Sequence, residues 1–269
     1  MKRAYEEDLE KIYIFLNENL DQCVYIYIDI TTYGLKNPNI TLWYSEYEGS
    51  INSVAMKYYD SFQLCSIDEK LDKERIDQLL LEYPVKSVSG SINIIKALEP
   101  HFAGKCDCNY GIVVKETKYK RLPGVERVEE ATVEDCAEIA ELLCADEDFG
   151  GTYEVDVLTK QLEDRINTGA GRSFVIKENG KIVAHAATFA EADKLVVYSG
   201  LMVDEKYRNK MYGVILYEFM KSVCIKEGKT VYAFRIKEDM KKYVKSPGTV
   251  VCGEYGKFTE MEGERNCEG

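Results

Sequence analysis

Tyr5, Leu9, Ile12, Leu16 and Leu20 recur at three- and four-residue spacing, so the chain opens with an amphipathic helix. The run from Cys23 to Thr31 is β-branched and aromatic and predicts a buried strand. Ile40–Tyr47 and Ile51–Tyr59 read as a hairpin turning at Glu48-Gly49-Ser50, followed by a short strand over Ser61–Ser66. Asp72–Tyr83 has helical periodicity, with Ile76, Leu79, Leu80 and Tyr83 inward and Pro84 as the stop. Lys86–Gly90 is a short strand. Ser91 then caps a helix expected to end before Pro100, and Tyr110–Glu116 is a further strand. The predicted order of this half is α-β-β-β-β-α-β-α-β.

Past Tyr119–Glu126, where a Pro-Gly pair marks a turn, the pattern sharpens. Arg127–Glu130 is a short strand. Thr132 and Asp135 have the spacing of a capping box before a helix that buries Cys136, Ile139, Ala140, Leu143 and Cys144. A second helix covers about Val155–Ile166. Asn179-Gly180 joins Ser173–Lys177 to Lys181–Phe189 as a hairpin, and Leu195–Val203 is the next strand. Tyr212–Lys226 places Ile215, Leu216, Phe219, Met220 and Val223 on one face and ends near Gly228. Thr230–Phe234, Lys237–Val244 and Thr249–Phe258 follow as strand, short helix and strand. The second order is β-α-α-β-β-β-α-β-α-β. Both halves therefore imply an α/β (α+β) class, with a mixed sheet flanked by helices.

Composition narrows the choice of partners. The 269 residues carry a formal charge of −12, with Lys+Arg 35 against Asp+Glu 47. No basic footprint for nucleic acid or an anionic membrane surface is visible, so neither is expected as a partner. No apolar run is long enough for a membrane helix, and the N-terminus has no signal-peptide core. The 9 cysteines are odd in number and irregularly spaced, which reads as reduced thiols in a cytoplasmic protein. With 2 histidines, His-rich metal sites are all but excluded. His101, Cys106 and Cys108 lack a fourth ligand and zinc-site spacing, so no metal is expected. His185, in a strand, reads as a satisfied sheet histidine.

The segment Tyr198–Phe234 gives the chemistry its direction. Arg208-Asn209-Lys210-Met211-Tyr212-Gly213 lies between the strand ending at Val203 and the long helix beginning at Tyr212. Amides at a helix start face outward with the positive end of the macrodipole behind them, which suits a pyrophosphate. This strand-loop-helix resembles the Gcn5-related N-acetyltransferases (GNAT), whose loop reads Arg/Gln-x-x-Gly-x-Gly/Ala. The resemblance covers roughly residues 126–258 and departs from the pattern at Met211, which stands at the first glycine. It implies the acyl-CoA N-acyltransferase fold, with acetyl-CoA (coenzyme A) as cofactor. The pyrophosphate would lie on Arg208–Gly213, and the pantetheine arm along the strand edge at Leu201, Met202 and Val203.

The first half has a similar strand-loop-helix tail but no such loop before residue 119. It is read as a degenerate GNAT-like domain, giving two such domains in tandem. The expected bounds are 1–118 for that domain, 119–126 for a linker, 127–260 for the acetyltransferase domain and 261–269 for an acidic tail. The first domain would shape an acceptor cleft.

The same resemblance assigns roles. A strand amide, of Met202 or Val203, would serve the oxyanion. Tyr243, in Tyr243-Val244-Lys245-Ser246-Pro247-Gly248, would protonate the leaving thiolate, with a packing tyrosine as the bland alternative. Glu147 and Asp148 would hold a cationic amine or form a solvated turn, while Glu191 and Ser199 are equally open as bases. The expected function is transfer of an acetyl group to a small-molecule or peptide amine. A non-catalytic acyl-CoA-binding or regulatory module is the alternative. Aminoacyl transfer from tRNA is a third reading, against which the acidic charge weighs. Monomer and homodimer both remain open.

Overall fold

Cys23–Thr31, expected to be a strand, falls instead almost wholly within a helix over Val24–Tyr33. The computed structural model describes residues 1–67, 72–102, 106–146, 154–236 and 248–260. The first unit begins with a short strand β1 (Lys2–Arg3), a 3-10 turn, α1 (Leu9–Glu18) and α2 (Val24–Tyr33). Six consecutive or near-consecutive residues of α2 are buried: Val24, Ile26, Tyr27, Ile28, Asp29 and Ile30. A helix covered almost all round has no polar face, and its apolar run cannot be told from a buried strand by periodicity. Gly34, at φ 65°, ends it.

The hairpin of β2 (Ile40–Tyr47) and β3 (Ser50–Tyr58) turns at Glu48 and Gly49, both at positive φ. Then come β4 (Ser61–Ser66), α3 (Lys73–Glu82), β5 (Ser87–Ser91), α4 (Ile92–Phe102) and β6 (Cys106–Glu116). Asp72 caps α3 by accepting from the Arg75 amide at 3.1 Å. The helix α4 does not stop before Pro100. It includes the proline in its last turn, where only one intrahelical bond is forfeited. β2, β3 and β4 pair antiparallel, while β4 and β5 pair in parallel across α3. Trp43, Phe62, Leu64, Ile76, Leu79, Ile95 and Phe258 share one core.

A second correction concerns Cys23 and Cys65. They were expected as reduced thiols, and they form a disulfide between the start of α2 and β4, with Cα atoms 5.8 Å apart.

The second unit repeats the order. It comprises β7 (Val128–Glu130), a 3-10 turn, α5 (Cys136–Cys144), α6 (Val155–Thr168), β8 (Arg172–Glu178), β9 (Lys181–Glu191), β10 (Leu195–Val203), α7 (Tyr212–Lys226) and β11 (Thr230–Ile236). Here β8, β9 and β10 pair antiparallel and β10 pairs with β11 in parallel across α7. Helix entry is built alike in both units. The Tyr5 amide donates to Asp8 at 3.0 Å, and the Thr132 amide donates to Asp135 at 2.9 Å. With α2 recognised as a helix, the two units have the same succession of elements as far as β5 in the first and β11 in the second.

One strand departs from the expected bounds. β12 (Thr249–Glu260) pairs antiparallel with β5, from Tyr255↔Ser91 to Thr259↔Ser87. The chain thus divides into one unit of Met1–Val113 with 235–236 and 251–260, and another of Val114–Phe234 with 248–250. Within the latter, a buried polar network grips α7. Lys221 lies 2.8 Å from Glu218 and 3.5 Å from Glu116, and Glu116 accepts from Tyr217 at 2.6 Å and Thr249 at 3.0 Å.

Candidate functional site

β10 is a buried strand that becomes an open one. Leu195 to Tyr198 are buried and in parallel register with Thr230 to Ala233. Among the described residues that register stops at Tyr198↔Ala233, while β10 continues to Val203. On its other side β10 stays paired with β9, but Ser199↔Ala187 is followed by Met202↔His185. Three steps on β10 thus oppose two on β9, which is a bulge. Gly200, at φ 63°, supplies its left-handed residue. A Cβ there would meet Phe189 Cζ at 3.0 Å and His185 Cε1 at 3.2 Å. The bulge bends β10, and Leu201 emerges 41% exposed.

The chain then makes a 3-10 turn over Glu205–Lys210, capped by Asp204, which accepts from the Lys206 amide at 2.9 Å. Met211 follows at φ 60°, ψ 15°, and α7 begins. The departure from the glycine pattern therefore falls on a residue that does need left-handed backbone. Its side chain is 59% exposed and makes no cap to α7. The Val214 and Ile215 amides donate to the Met211 carbonyl at 3.0 Å, which leaves those of Tyr212 and Gly213 at the positive end of a 15-residue dipole. Gly213 lies under this turn. A Cβ placed on it would sit 3.4 Å from Val203 and 3.7 Å from Leu201, in ordinary contact.

The structure brings together nine of the residues expected to face the cofactor. Leu201, Met202 and Val203 form the open end of β10, and Arg208, Asn209, Lys210, Met211, Tyr212 and Gly213 form the turn beside it. Their side chains divide the work. Tyr212 is buried, with its hydroxyl held by Arg127 at 2.7 Å and by Glu178, so it offers only its backbone. Lys210 lies over the Tyr207 ring at 4.8 Å and 3.4 Å from Glu178. Arg208 folds back, donating to the Val203 carbonyl at 3.3 Å and lying 3.5 Å from Asp146. Asp146, which has no place in the motif, was not singled out by the sequence. Tyr243, Glu147 and Asp148 lie outside the described residues.

Glu191 is removed from consideration as a base. It accepts from Arg172 at 2.8 Å and Lys229 at 2.7 Å, with Thr188 on the same oxygen as Arg172. Those partners hold its carboxyl below the ordinary range despite burial that pushes the other way. A cavity lined in part by Glu130, Arg172 and Glu191 lies at the opposite, buried end of β10, away from the open edge. Ser199 sits half-buried opposite Ala187. His185 is fully buried, and desolvation lowers its pKa to about 4, so it is neutral at physiological pH.

A bulged strand with one open end, leading through a cationic turn into a helix N-terminus, defines the acyl-CoA N-acyltransferase class of fold. Residues 137–241 match the family described as the acetyltransferase (GNAT) family. No curated protein matches the chain. Among solved structures, a Drosophila protein is similar over 97% of this chain and 98% of its own, at 11% identity and TM-score 0.65. A tandem GNAT protein from the clavulanic acid biosynthesis pathway is similar over 96% of both chains, at 10% identity and TM-score 0.57. A GNAT-family acetyltransferase from Colwellia psychrerythraea covers 97% of this chain and 99% of its own, at 12% identity and TM-score 0.55. At these identities the likeness is one of fold. It extends over both units.

Proposed function

We propose that the protein is an acetyl-CoA-dependent N-acetyltransferase acting on a small-molecule or peptide amine. The observation that supports this most is the placement of the Arg208–Gly213 turn beside the open end of β10. The residues present fit coenzyme A at the backbone level. The N-cap residue of α7 makes no side-chain cap, and Arg208 and Lys210 are on the rim of the turn. The unpaired edge of Leu201–Val203 offers peptide groups to an extended pantetheine arm.

Acetyl-CoA would supply an activated thioester, so that transfer to the amine forms a C–N bond and breaks the C–S bond. The chain's part is to orient and to move protons. Tyr243 is the proposed proton donor to the departing sulfur, and Glu147 and Asp148 are proposed to hold the ammonium form of the acceptor and pass its proton through water, which frees the amine to attack.

Calorimetric titration with acetyl-CoA, CoA and 3′-dephospho-CoA tests the reading. Saturable binding, weakened by Arg208→Glu, supports it. Absence of binding at millimolar concentration sinks it. Binding without turnover across a panel of amines would instead favour a non-catalytic acyl-CoA-binding module.

A further inference from the structure

His185 is one of two histidines in the chain, and both of its ring nitrogens are committed. Nδ1 lies 2.7 Å from the Gly200 carbonyl oxygen and Nε2 lies 3.1 Å from Ser173 Oγ. A carbonyl oxygen only accepts, so Nδ1 carries the proton and Nε2 accepts from the Ser173 hydroxyl. The ring is fully buried on β9. In cross-strand register it faces Val175 on β8 and Met202 on β10, which both pack with α5 and α6. The Gly200 carbonyl is therefore drawn to the α5/α6 face of the sheet.

A trans peptide is planar, and its carbonyl and N–H point in opposite directions. No cis bonds occur among the described residues. Fixing the Gly200 carbonyl on His185 thus directs the Leu201 N–H to the other face. That is the face where the Leu201 methyls approach Gly213 in the first turn of α7. The bulge has a glycine at its centre, whose backbone tilts more freely than that of other residues when such a partner is missing.

We infer that His185 is a positioning residue that, backed by Ser173, turns the Leu201 amide to the α7 face, beside the open end of β10, as the donor to the acyl carbonyl. The inference rests on the acetyltransferase reading. It names Leu201, one residue before the Met202 and Val203 amides expected from the sequence. A preset donor needs no reorganisation as charge develops on the oxygen.

The experiment combines spectra and kinetics. Nitrogen-15 spectra of the histidine rings are expected to show His185 neutral and protonated at Nδ1, and the Leu201 amide resonance is expected to shift when acetyl-CoA is added. His185→Leu is expected to lose on the order of 10²-fold in kcat, with a far smaller change in acetyl-CoA affinity by calorimetry. His185→Asn, which keeps a donor at the Nδ1 position, is expected to regain most of that loss. A ring protonated at Nε2, a Leu201 amide indifferent to acetyl-CoA, or a folded His185→Leu with unchanged kcat would each overturn the inference. The first two need no variant to fold. Failure of the unaltered protein to bind acetyl-CoA would instead overturn the acetyltransferase reading, and this inference with it.

Discussion

Arg208 lies 3.5 Å from Asp146, so the cation at the head of the proposed phosphate turn is tied to a carboxylate two residues past the end of α5. A pyrophosphate on the α7 amides would compete with Asp146 for the guanidinium. Exposed ion pairs are weak, on the order of 0.2–1 kcal/mol. Asp146→Asn is therefore expected to tighten CoA binding by about two- to fivefold at low salt, with the gain fading as salt rises. Weaker binding by this variant would mean that Asp146 orients Arg208 rather than restraining it.

Met211 stands in the left-handed region at φ 60°. A side chain there costs about 1–2 kcal/mol, while glycine gives back part of that through the freer unfolded chain. Met211→Gly is expected to raise stability by roughly 0.5–1 kcal/mol, and Met211→Ile, β-branched, to lower it by more than that. Urea unfolding of the three proteins checks the order. Equal midpoints would show that the turn relaxes around any residue.

The bounds of α7 and β10 are those expected from the sequence, although the buried face of α7 also carries Glu218 and Lys221. The Asn179-Gly180 turn was equally legible, since both residues sit at positive φ in the structure. The α2 segment was not legible. Its β-branched residues favour strand locally, and burial on all sides overrode that preference. The Cys23–Cys65 bond was invisible for a related reason, since it depends on where α2 meets β4. At the site, the motif located the turn and the open strand, but nothing in the spacing of Ser173, His185 and Gly200 announced that they form a chain of hydrogen bonds.

The disulfide closes a 42-residue separation. The loop-entropy argument puts its contribution at about 4 kcal/mol, with strain and residual structure subtracting from that. Reduction is expected to lower the melting temperature of the first unit, and Cys65→Ala to reproduce the shift without reductant. A melting curve unaffected by dithiothreitol, with mass spectrometry confirming reduction, would show that the bond adds nothing.

Lys221 is buried with Glu116 and Glu218. Lys221→Met leaves two carboxylates without their cation and is expected to cost about 3–5 kcal/mol. Adding Glu218→Gln to that variant is expected to recover part of the loss, because one uncompensated charge disappears. Additive losses in the double mutant, measured by chemical unfolding, would mean that the network is not coupled.

Two buried groups give the units opposite responses to pH. Burial raises Asp29 to about 7, above its unfolded value of 3.8, with Gln63 opposing weakly. Between these values the folded state holds the extra proton, so the stability of the first unit falls as pH rises from about 4 to about 7. Burial lowers His185 to about 4 from 6.5, so there the unfolded state holds the extra proton. The second unit gains stability as pH rises over about 4 to 6.5. Hydrogen exchange followed residue by residue is expected to show the two trends separately, and Asp29→Asn to flatten only the first. Parallel trends in both units would contradict the assignment.

β12 carries a consequence for how the protein is made. Residues 255–259 complete the edge of β5, more than 160 positions earlier in the chain. A ribosome that has finished the first hundred residues has therefore not finished the first unit. Its β5 edge waits, unpaired, while the whole second unit is synthesised. The second unit, though it emerges later, has β7 to β11 and α5 to α7 in hand before that strand exists. The later half thus has most of its elements before β12 exists, while the earlier half depends on residues 255–259.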